Sequence, residues 1–145
     1  LGGLMVPTFR VTESDGKKHD FNVSQISDGT LRVLGLLTAL YQPTRPATLA
    51  MEEPEQTVNP GVLAVLAEAI EEVSNHSQIL VTTHSPELVD KFEDPKVVQA
   101  VDMVDGKTQI GPVHPDQISA VKDRLFSLGE LMSVEGLHRA EATAK

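Results

Sequence analysis

The pattern of hydrophobic and polar positions along the chain predicts an α/β fold that begins with a hairpin. Polar and apolar residues alternate in Thr8–Thr12 and His19–Val23, and the turn-forming segment Ser14–Lys17 lies between them. This alternation around a turn predicts a β-hairpin. The next segment, Asp28–Tyr41, is apolar on nearly every side of a helical wheel. It predicts a helix that is buried on most of its faces.

A strand–helix–strand pattern occupies the middle of the chain. Ala47–Met51 and Gln78–Thr83 are short apolar runs, and Pro60–Asn75 between them is apolar at helical spacing. A βαβ unit of this kind predicts two parallel strands that lie next to each other. Because both strands are apolar throughout, we expect the sheet to be covered on both faces.

The remaining sequence predicts further elements of the same single domain, which we assign to residues 1–145. They are a short helix at Pro86–Asp90, a hairpin formed by Val97–Val104 and Thr108–Val113, and a final helix at Asp116–Leu128. We expect a disordered tail at residues 139–145. The predicted fold is therefore a mainly parallel sheet flanked by helices, with a β-hairpin near each end.

Composition and charge limit the kind of core and the kinds of binding site that this chain can have. Aromatic residues make up 3% of the chain and apolar residues 40%, so the core must be aliphatic. The net charge of −9 argues against a broad DNA-binding surface in this segment. The chain has no cysteine, which excludes disulfides and thiolate metal sites.

Several features of the sequence bear on the cellular location of the protein and on whether the chain is part of a longer polypeptide. No apolar run approaches the roughly 20 residues that cross a bilayer. The start of the chain lacks the features of a signal peptide. We therefore expect a cytoplasmic protein without a membrane partner. Because the chain begins with Leu1, we also expect it to be part of a longer polypeptide.

The first candidate site is the start of the helix at Asp28. Ser27 can cap this helix, and the free amides and dipole of its first turn attract anions. Gly29 would let the backbone approach a ligand closely. The same residues also fit an ordinary capped helix, and this segment alone does not decide between the two.

The second candidate site is the acidic segment that follows the first apolar strand. Glu52 and Glu53 lie at a strand end where α/β proteins commonly bind ligands. One of them could hold Mg²⁺ through water, and the other could activate an attacking water. A solvated acidic turn is the alternative.

A histidine follows the second strand of the same unit. His84 should lie at the same edge of the sheet as Glu52 and Glu53, where it could contact a phosphate oxygen or a water. A His that only packs or caps locally is the alternative for this position.

These loops together resemble a known family. Ser24–Arg32 resembles an ABC signature motif with Asp after the Ser, Leu49–Glu55 resembles a Walker B strand with its acids, and Val81–Leu88 resembles a switch-histidine loop. In this order they are similar to the C-terminal lobe of an ABC-type ATPase head of the SMC/RecF/OLD-like branch. The resemblance covers roughly Ile26 to Leu131 and implies a P-loop NTPase-like fold.

The resemblance also implies roles for individual residues. Glu52 matches the acid that holds Mg²⁺ through water, Glu53 the glutamate that activates the hydrolytic water, and His84 the histidine that senses the γ-phosphate. Four signature residues would contact ATP held by the opposite subunit of a homodimer. They are Ser27, Asp28, Gly29 and Thr30. Asn59 falls in the D-loop, which crosses the dimer interface in this family.

The sequence departs from the family in three ways. Glu52 stands where the family usually has Asp, so its longer side chain must retract or bind the metal differently. Asn59 stands where this branch often has a His before Pro, so a hydrogen bond made by that His is not carried over to this chain. The Walker A loop, G-x-x-x-x-G-K-S/T, is absent from the chain.

The missing Walker A loop defines what we expect of this chain. The resemblance implies a partner lobe, N-terminal to this segment, that carries Walker A. We expect ATP hydrolysis from the intact protein and none from this chain alone. The family acts in DNA repair, chromosome maintenance or phage defence. The resemblance therefore allows DNA as a partner of the intact protein. The net charge of −9 argues against DNA contact through this lobe.

Two further functions fit parts of the pattern. A Mg²⁺-dependent nuclease or other hydrolase could use Glu52, Glu53 and Glu55 directly. A non-catalytic interaction module could retain the same loops without turnover.

Overall fold

A computed structural model describes residues 7–140 of the chain, and residues 1–6 and 141–145 lie outside the description. In chain order the regular elements are β1 (Thr8–Thr12), β2 (Lys18–Asn22), α1 (Asp28–Leu40), β3 (Thr48–Glu52), α2 (Leu63–Ser74), β4 (Gln78–Thr82), α3 (Pro86–Val89), β5 (Gln99–Val104), β6 (Lys107–Pro112), α4 (Pro115–Lys122) and α5 (Leu128–Val134). Short 3₁₀ turns precede α1, α2 and β5 at Val23–Gln25, Pro60–Val62 and Pro95–Val97.

Both predicted hairpins are present. β1 pairs with β2 and β5 pairs with β6, each in antiparallel register. The first turn contains Gly16 at φ 85°, and the second contains Asp105 at 51° and Gly106 at 73°. Positive φ angles at these positions suit the tight turns of twisted hairpins, which is why Gly and Asp are found there.

The central βαβ unit confirms the predicted α/β fold class. β3 and β4 pair in parallel from Thr48 opposite Gln78 to Glu52 opposite Thr82, and α2 forms the crossover between them. Among residues 7–140 this parallel sheet has two strands. One face of the pair packs against α1 and α2. The buried side chains of this first core are Leu40, Met51, Leu66, Ala69, Ile70 and Val73.

Two predictions about burial were wrong for this unit. The outward face of the strand pair is open, because Ala50 and Leu80 are exposed within residues 7–140. Helix α1 is also exposed along one side, at Leu34, Gly35 and Thr38. The exposed strand face and the exposed side of α1 have one cause, because α1 and α2 pack against the same face of the two strands.

The predicted final helix, Asp116–Leu128, ends early at Lys122 as α4, and α5 is a further helix that was not predicted. Arg124 adopts a left-handed conformation with φ 57°, which ends the helical path, and Leu125 is exposed rather than buried. Ser127 is the N-cap of α5, and its side chain and that of Glu130 form a reciprocal capping box. The sequence pattern Ser-x-x-Glu was the signal for this break.

A second core joins the C-terminal elements. Val89, Ala100, Val113 and Leu128 form this cluster, which brings together α3, the β5–β6 hairpin and α5. The predicted disordered tail does not begin at residue 139, because Arg139 bridges to Val113 and the Ala140 amide donates to the Pro112 carbonyl at 2.8 Å. The rest of that tail lies outside the described residues. Within residues 7–140 no helix is long and apolar enough to cross a bilayer.

Candidate functional site

The acidic loop begins where β3 leaves the parallel sheet. Glu52 is the last residue of the strand and is exposed. The Glu53 amide extends the ladder by donating to the Thr82 carbonyl at 2.8 Å. Glu53 then turns with φ 41°, a left-handed conformation that is uncommon outside glycine. The chain therefore leaves the strand direction at Glu53, directly after the end of β3.

Glu53 and His84 lie at the ends of neighbouring strands and approach each other. His84 Nε2 is 3.9 Å from Glu53 Oε1, the His side chain is 88% exposed and the Glu side chain 29% exposed. A separation of this size is too long for a direct hydrogen bond and leaves the pair open to a bridging water. Gln56 Nε2 donates to the other oxygen, Glu53 Oε2, which fixes the orientation of the carboxylate.

Arg32 supports this loop from α1, and sequence reasoning did not single it out. Its guanidinium donates to the Glu53 carbonyl at 2.8 Å and more weakly to the Glu52 carbonyl at 3.4 Å. Arg32 Nε is buried without a partner among residues 7–140. The bonds go to main-chain atoms, so no complementary residue type appears in the sequence. The only signal was a charged residue within an otherwise apolar helix.

Glu55 has a different role from the two preceding glutamates. Its Oε1 accepts from the Thr83 hydroxyl at 2.6 Å and from the His84 amide at 3.3 Å. Glu55 therefore ties the acidic loop to the loop that contains His84. No group of three or more His, Asp or Glu side chains in the described part of the chain is arranged to hold a metal ion. The geometry thus does not gather the carboxylates that direct two-metal chemistry uses.

The loop after β4 leads into α3 through a chain of local bonds. The Thr83 hydroxyl accepts from the Ser85 amide at 2.9 Å, and Ser85 caps α3 by accepting from the Leu88 amide at 3.1 Å. The pKa of Glu87 is lowered, first by its own backbone amide and then by the Ser85 hydroxyl. These bonds hold the segment around His84 in place while its imidazole stays exposed.

The start of α1 has the geometry of a capped helix. Ser27 Oγ accepts from the Thr30 amide at 3.1 Å and lies 2.8 Å from the Thr30 hydroxyl. Both residues are exposed, as is Asp28. The amides of Asp28 and Gly29 point out from the first turn of a long helix, where an anion is stabilised. The Asp28 carboxylate in the same turn already supplies a negative charge there.

Gly29 brings the start of α1 against the acidic loop. A Cβ atom at Gly29 would lie 2.4 Å from the Thr57 carbonyl oxygen, so only glycine fits. Thr57 itself has φ 61°, which is strained for a β-branched residue. Gly29 thus allows a close approach of the chain's own backbone, and its contact with a ligand stays a prediction. Nearby, Asn59 Oδ1 accepts from the Gly61 amide at 2.9 Å and caps the 3₁₀ turn before α2.

The structure thus gathers the predicted residues into two neighbouring sets. Glu52, Glu53 and His84 lie together at the carboxyl ends of β3 and β4. Ser27 and Thr30 bond to each other at the start of α1, and Gly29 connects that helix to the segment that contains Asn59.

Comparison with solved structures defines the class of fold. A structure from work on ATP-driven dimerization and DNA-stimulated activation of SMC ATPases aligns with a TM-score of 0.57 and 14% identity, over 83% of this chain and 81% of that one. The SMC head domain from Thermotoga maritima aligns with a TM-score of 0.54 and 22% identity, over 72% of this chain. This chain therefore has the P-loop NTPase fold of these structures, and it spans 39% of the Thermotoga chain.

Comparison of sequences identifies the family. Residues 7–90, more than half of the chain, match the family described as "AAA domain, putative AbiEii toxin, Type IV TA system", and the chain belongs to that family. A comparison with curated proteins finds no significant match.

Proposed function

We propose that this chain is the C-terminal lobe of an ABC-type ATPase head, which completes and triggers ATP hydrolysis on a nucleotide held mainly by other residues. The observation that carries this proposal is the open pair of Glu53 and His84 at the carboxyl ends of two parallel strands. In α/β proteins this edge is where ligands bind. The family membership and the fold of residues 7–140 support an ATPase of this class.

The proposed chemistry places a water between Glu53 and His84. Glu53 Oε1 would accept a proton from that water as the water oxygen bonds to the γ-phosphorus, while the bond from that phosphorus to the β–γ bridging oxygen breaks and ADP leaves. His84 Nε2 would contact a γ-phosphate oxygen. Gln56 and Arg32 keep the Glu53 side chain and main chain in position. Positioning of this kind is a large part of phosphoryl-transfer catalysis.

Magnesium would be held at Glu52. Mg²⁺ is commonly bound in such sites by one or two carboxylates together with waters and phosphate oxygens, and an exposed carboxylate at the end of β3 fits that mode. The ion would neutralise charge on the phosphates. In this proposal Glu52 acts through water, as the acid that it matches does in the ABC ATPase family, and its side chain is longer than the usual Asp.

The start of α1 would serve a second nucleotide in a homodimer. Ser27, Asp28, Gly29 and Thr30 present the exposed first turn of α1, which suits an anion approaching from another subunit. In this proposal Asn59 and its neighbours form the D-loop beside that turn. An N-terminal lobe supplies the Walker A loop, and the intact protein acts in DNA repair, chromosome maintenance or phage defence.

Turnover by the intact protein tests the proposed roles. We expect no ATP hydrolysis by the 145-residue chain alone and measurable hydrolysis when the Walker A lobe is present. Glu53→Gln in the intact protein should reduce kcat by about 100-fold or more while ATP binding is retained. Glu68→Gln, on the exposed side of α2, makes the same chemical change as a matched control and should leave kcat unchanged.

Two results would contradict this proposal. Robust hydrolysis by the isolated chain would remove the need for a second lobe. Wild-type turnover in the Glu53→Gln protein would remove Glu53 from the catalytic role, whatever the effect of other substitutions.

A further inference from the structure

A groove of about 250 Å³ lies between α4 and α5, away from the predicted site residues. Its apolar lining residues are Ala120, Phe126, Leu131 and Val134, of which Leu131 is buried. Phe126 is 50% exposed and Val134 is 83% exposed. Two large apolar side chains are therefore open to solvent at this groove, where a partner would cover them.

Carboxylates surround this α4–α5 groove. Asp116, Glu130 and Glu135 line it, and neither Lys nor Arg is among its lining residues in the described chain. Glu130 Oε2 accepts from the Ser127 amide at 2.7 Å, and Glu135 Oε1 accepts from the Gln117 side chain at 2.8 Å. These neutral donors fix the two carboxylates and leave their charges in place. Asp116 is almost fully exposed at the start of α4.

The size and charge of the α4–α5 groove select among occupants. Small-molecule sites commonly enclose roughly 300–1,000 Å³, so this volume is better suited to one or two anchoring side chains of a protein. A second copy of this chain would bring another strongly acidic surface, since each carries a net charge of −9. A partner that places Lys or Arg beside the acidic rim is complementary.

We propose that the α4–α5 groove docks a basic amphipathic helix of a partner protein. Apolar side chains on one face of that helix insert between Phe126 and Val134, and flanking Lys or Arg side chains pair with Asp116, Glu130 and Glu135. The seven residues of α5 offer a track of about 10 Å, which matches roughly two turns of a docked helix.

A peptide titration followed by NMR tests this docking surface. The probe is a synthetic amphipathic helix made of leucine and lysine at helical spacing, and the reference is the same composition in scrambled order. We expect the amphipathic probe to bind saturably and to shift the amides of residues that line the groove. Val134→Asp should weaken binding by about tenfold or more, because it places a charge among the apolar anchors.

A matched control separates the groove from the acidic surface in general. Met103→Asp makes the same kind of change on the β5–β6 hairpin, where Met103 is 77% exposed, and should change the affinity by less than about twofold. Phe126→Asp is a second groove variant that should reproduce the loss if Val134→Asp does not fold. Equal losses for the hairpin and groove variants, equal binding of the scrambled peptide, or amide shifts that avoid α4 and α5 would each overturn the proposal.

Discussion

The absence of a side chain at Gly29 allows the acidic loop to lie against the start of α1. The Thr57 carbonyl occupies the space that a Cβ would need, at a distance of 2.4 Å. Because the obstacle is backbone rather than a flexible side chain, it cannot rotate away. The predicted signature and D-loop segments are therefore packed together within one chain, before any nucleotide or partner is considered.

This contact predicts a clear effect of Gly29→Ala. The added methyl group must displace either α1 or the Thr57 backbone, so the free energy of unfolding should fall by roughly 1–3 kcal/mol. Urea denaturation of the 145-residue chain measures the change. Gly35→Ala is the control in the same helix, since nothing lies within 4 Å of its Cβ position. That substitution should raise the free energy of unfolding by roughly 0.5–1 kcal/mol, and a loss of equal size at both positions would contradict our explanation.

Site residues that follow strands could be predicted from the sequence better than residues that contact the main chain of a distant segment. Glu52, Glu53 and His84 follow apolar strands, and parallel neighbours end at the same edge of a sheet, so their proximity could be predicted. The contact of Arg32 with the acidic loop and the contact of Gly29 with Thr57 could not be predicted from the sequence. Both interactions are made with main-chain atoms some 20 or more residues away along the chain, and main-chain atoms carry no residue-type signal.

At the scale of elements, the β1–β2 hairpin carries an exposed ion pair that joins its two strands. Arg10 donates two hydrogen bonds to Asp20, at 2.7 Å and 2.8 Å, directly across the strand pair. These hydrogen bonds, with a smaller charge attraction, lower the pKa of Asp20 against the opposing effect of desolvation. A lowered pKa contributes stability above the ordinary Asp value, and this stability is lost as the pH falls through the lowered value.

We therefore expect Arg10→Gln to raise the pKa of Asp20 toward the ordinary value of about 3.9. An NMR titration of the carboxyl carbon between pH 2 and 6 measures the shift. Lys18→Gln removes the same charge from the same hairpin, opposite Thr12 rather than Asp20, and should leave the Asp20 titration nearly unchanged. An identical titration in the wild-type and Arg10→Gln chains would show that the ion pair does not form in solution.

Asp90 joins two elements that are far apart in sequence. One carboxylate oxygen accepts from the Gly129 amide at 2.7 Å, and the other accepts from the Ser127 hydroxyl at 2.8 Å. Gly129 is again required by a close approach, since a Cβ there would lie 2.4 Å from the Pro86 carbonyl oxygen. The short helix after His84 is thereby held against the start of α5.

Removal of this carboxylate should loosen α5. Asp90→Ala leaves the buried Gly129 amide without its acceptor, so we expect the free energy of unfolding to fall by roughly 1.5–3 kcal/mol. Hydrogen exchange at the α5 amides should also become faster than in the wild type. Asp123→Ala, at the exposed end of α4, should change stability by less than about 0.5 kcal/mol. Unchanged exchange in α5 of the Asp90→Ala chain would argue against the coupling.

At the scale of the whole molecule, the sequence pattern predicts the class of fold well. It predicts less well which faces of the sheet are covered by other elements. Apolar strands around an amphipathic helix indicated a parallel pair, and the pair formed as predicted. The same apolar residues also indicated burial on both faces, yet Leu80 on the outward face is 54% exposed in the described chain. A hydrophobicity pattern records that a residue is suited to burial and carries no information on which chain covers it.

The open face of the strand pair yields a test that links this chain to the proposed N-terminal lobe. If that lobe covers the face, Leu80→Ser should change the stability of the 145-residue chain by less than about 1 kcal/mol, because the side chain is already half exposed. In the intact protein the same substitution should weaken the association of the two lobes and reduce ATP turnover. Val65→Ser is the matched control, since Val65 is similarly exposed on α2, at 52%. Calorimetry with the two lobes expressed separately measures their association and tests whether the N-terminal lobe covers the face that contains Leu80. Equal association of the Leu80→Ser and Val65→Ser chains would mean that another surface receives the N-terminal lobe, even if turnover were normal.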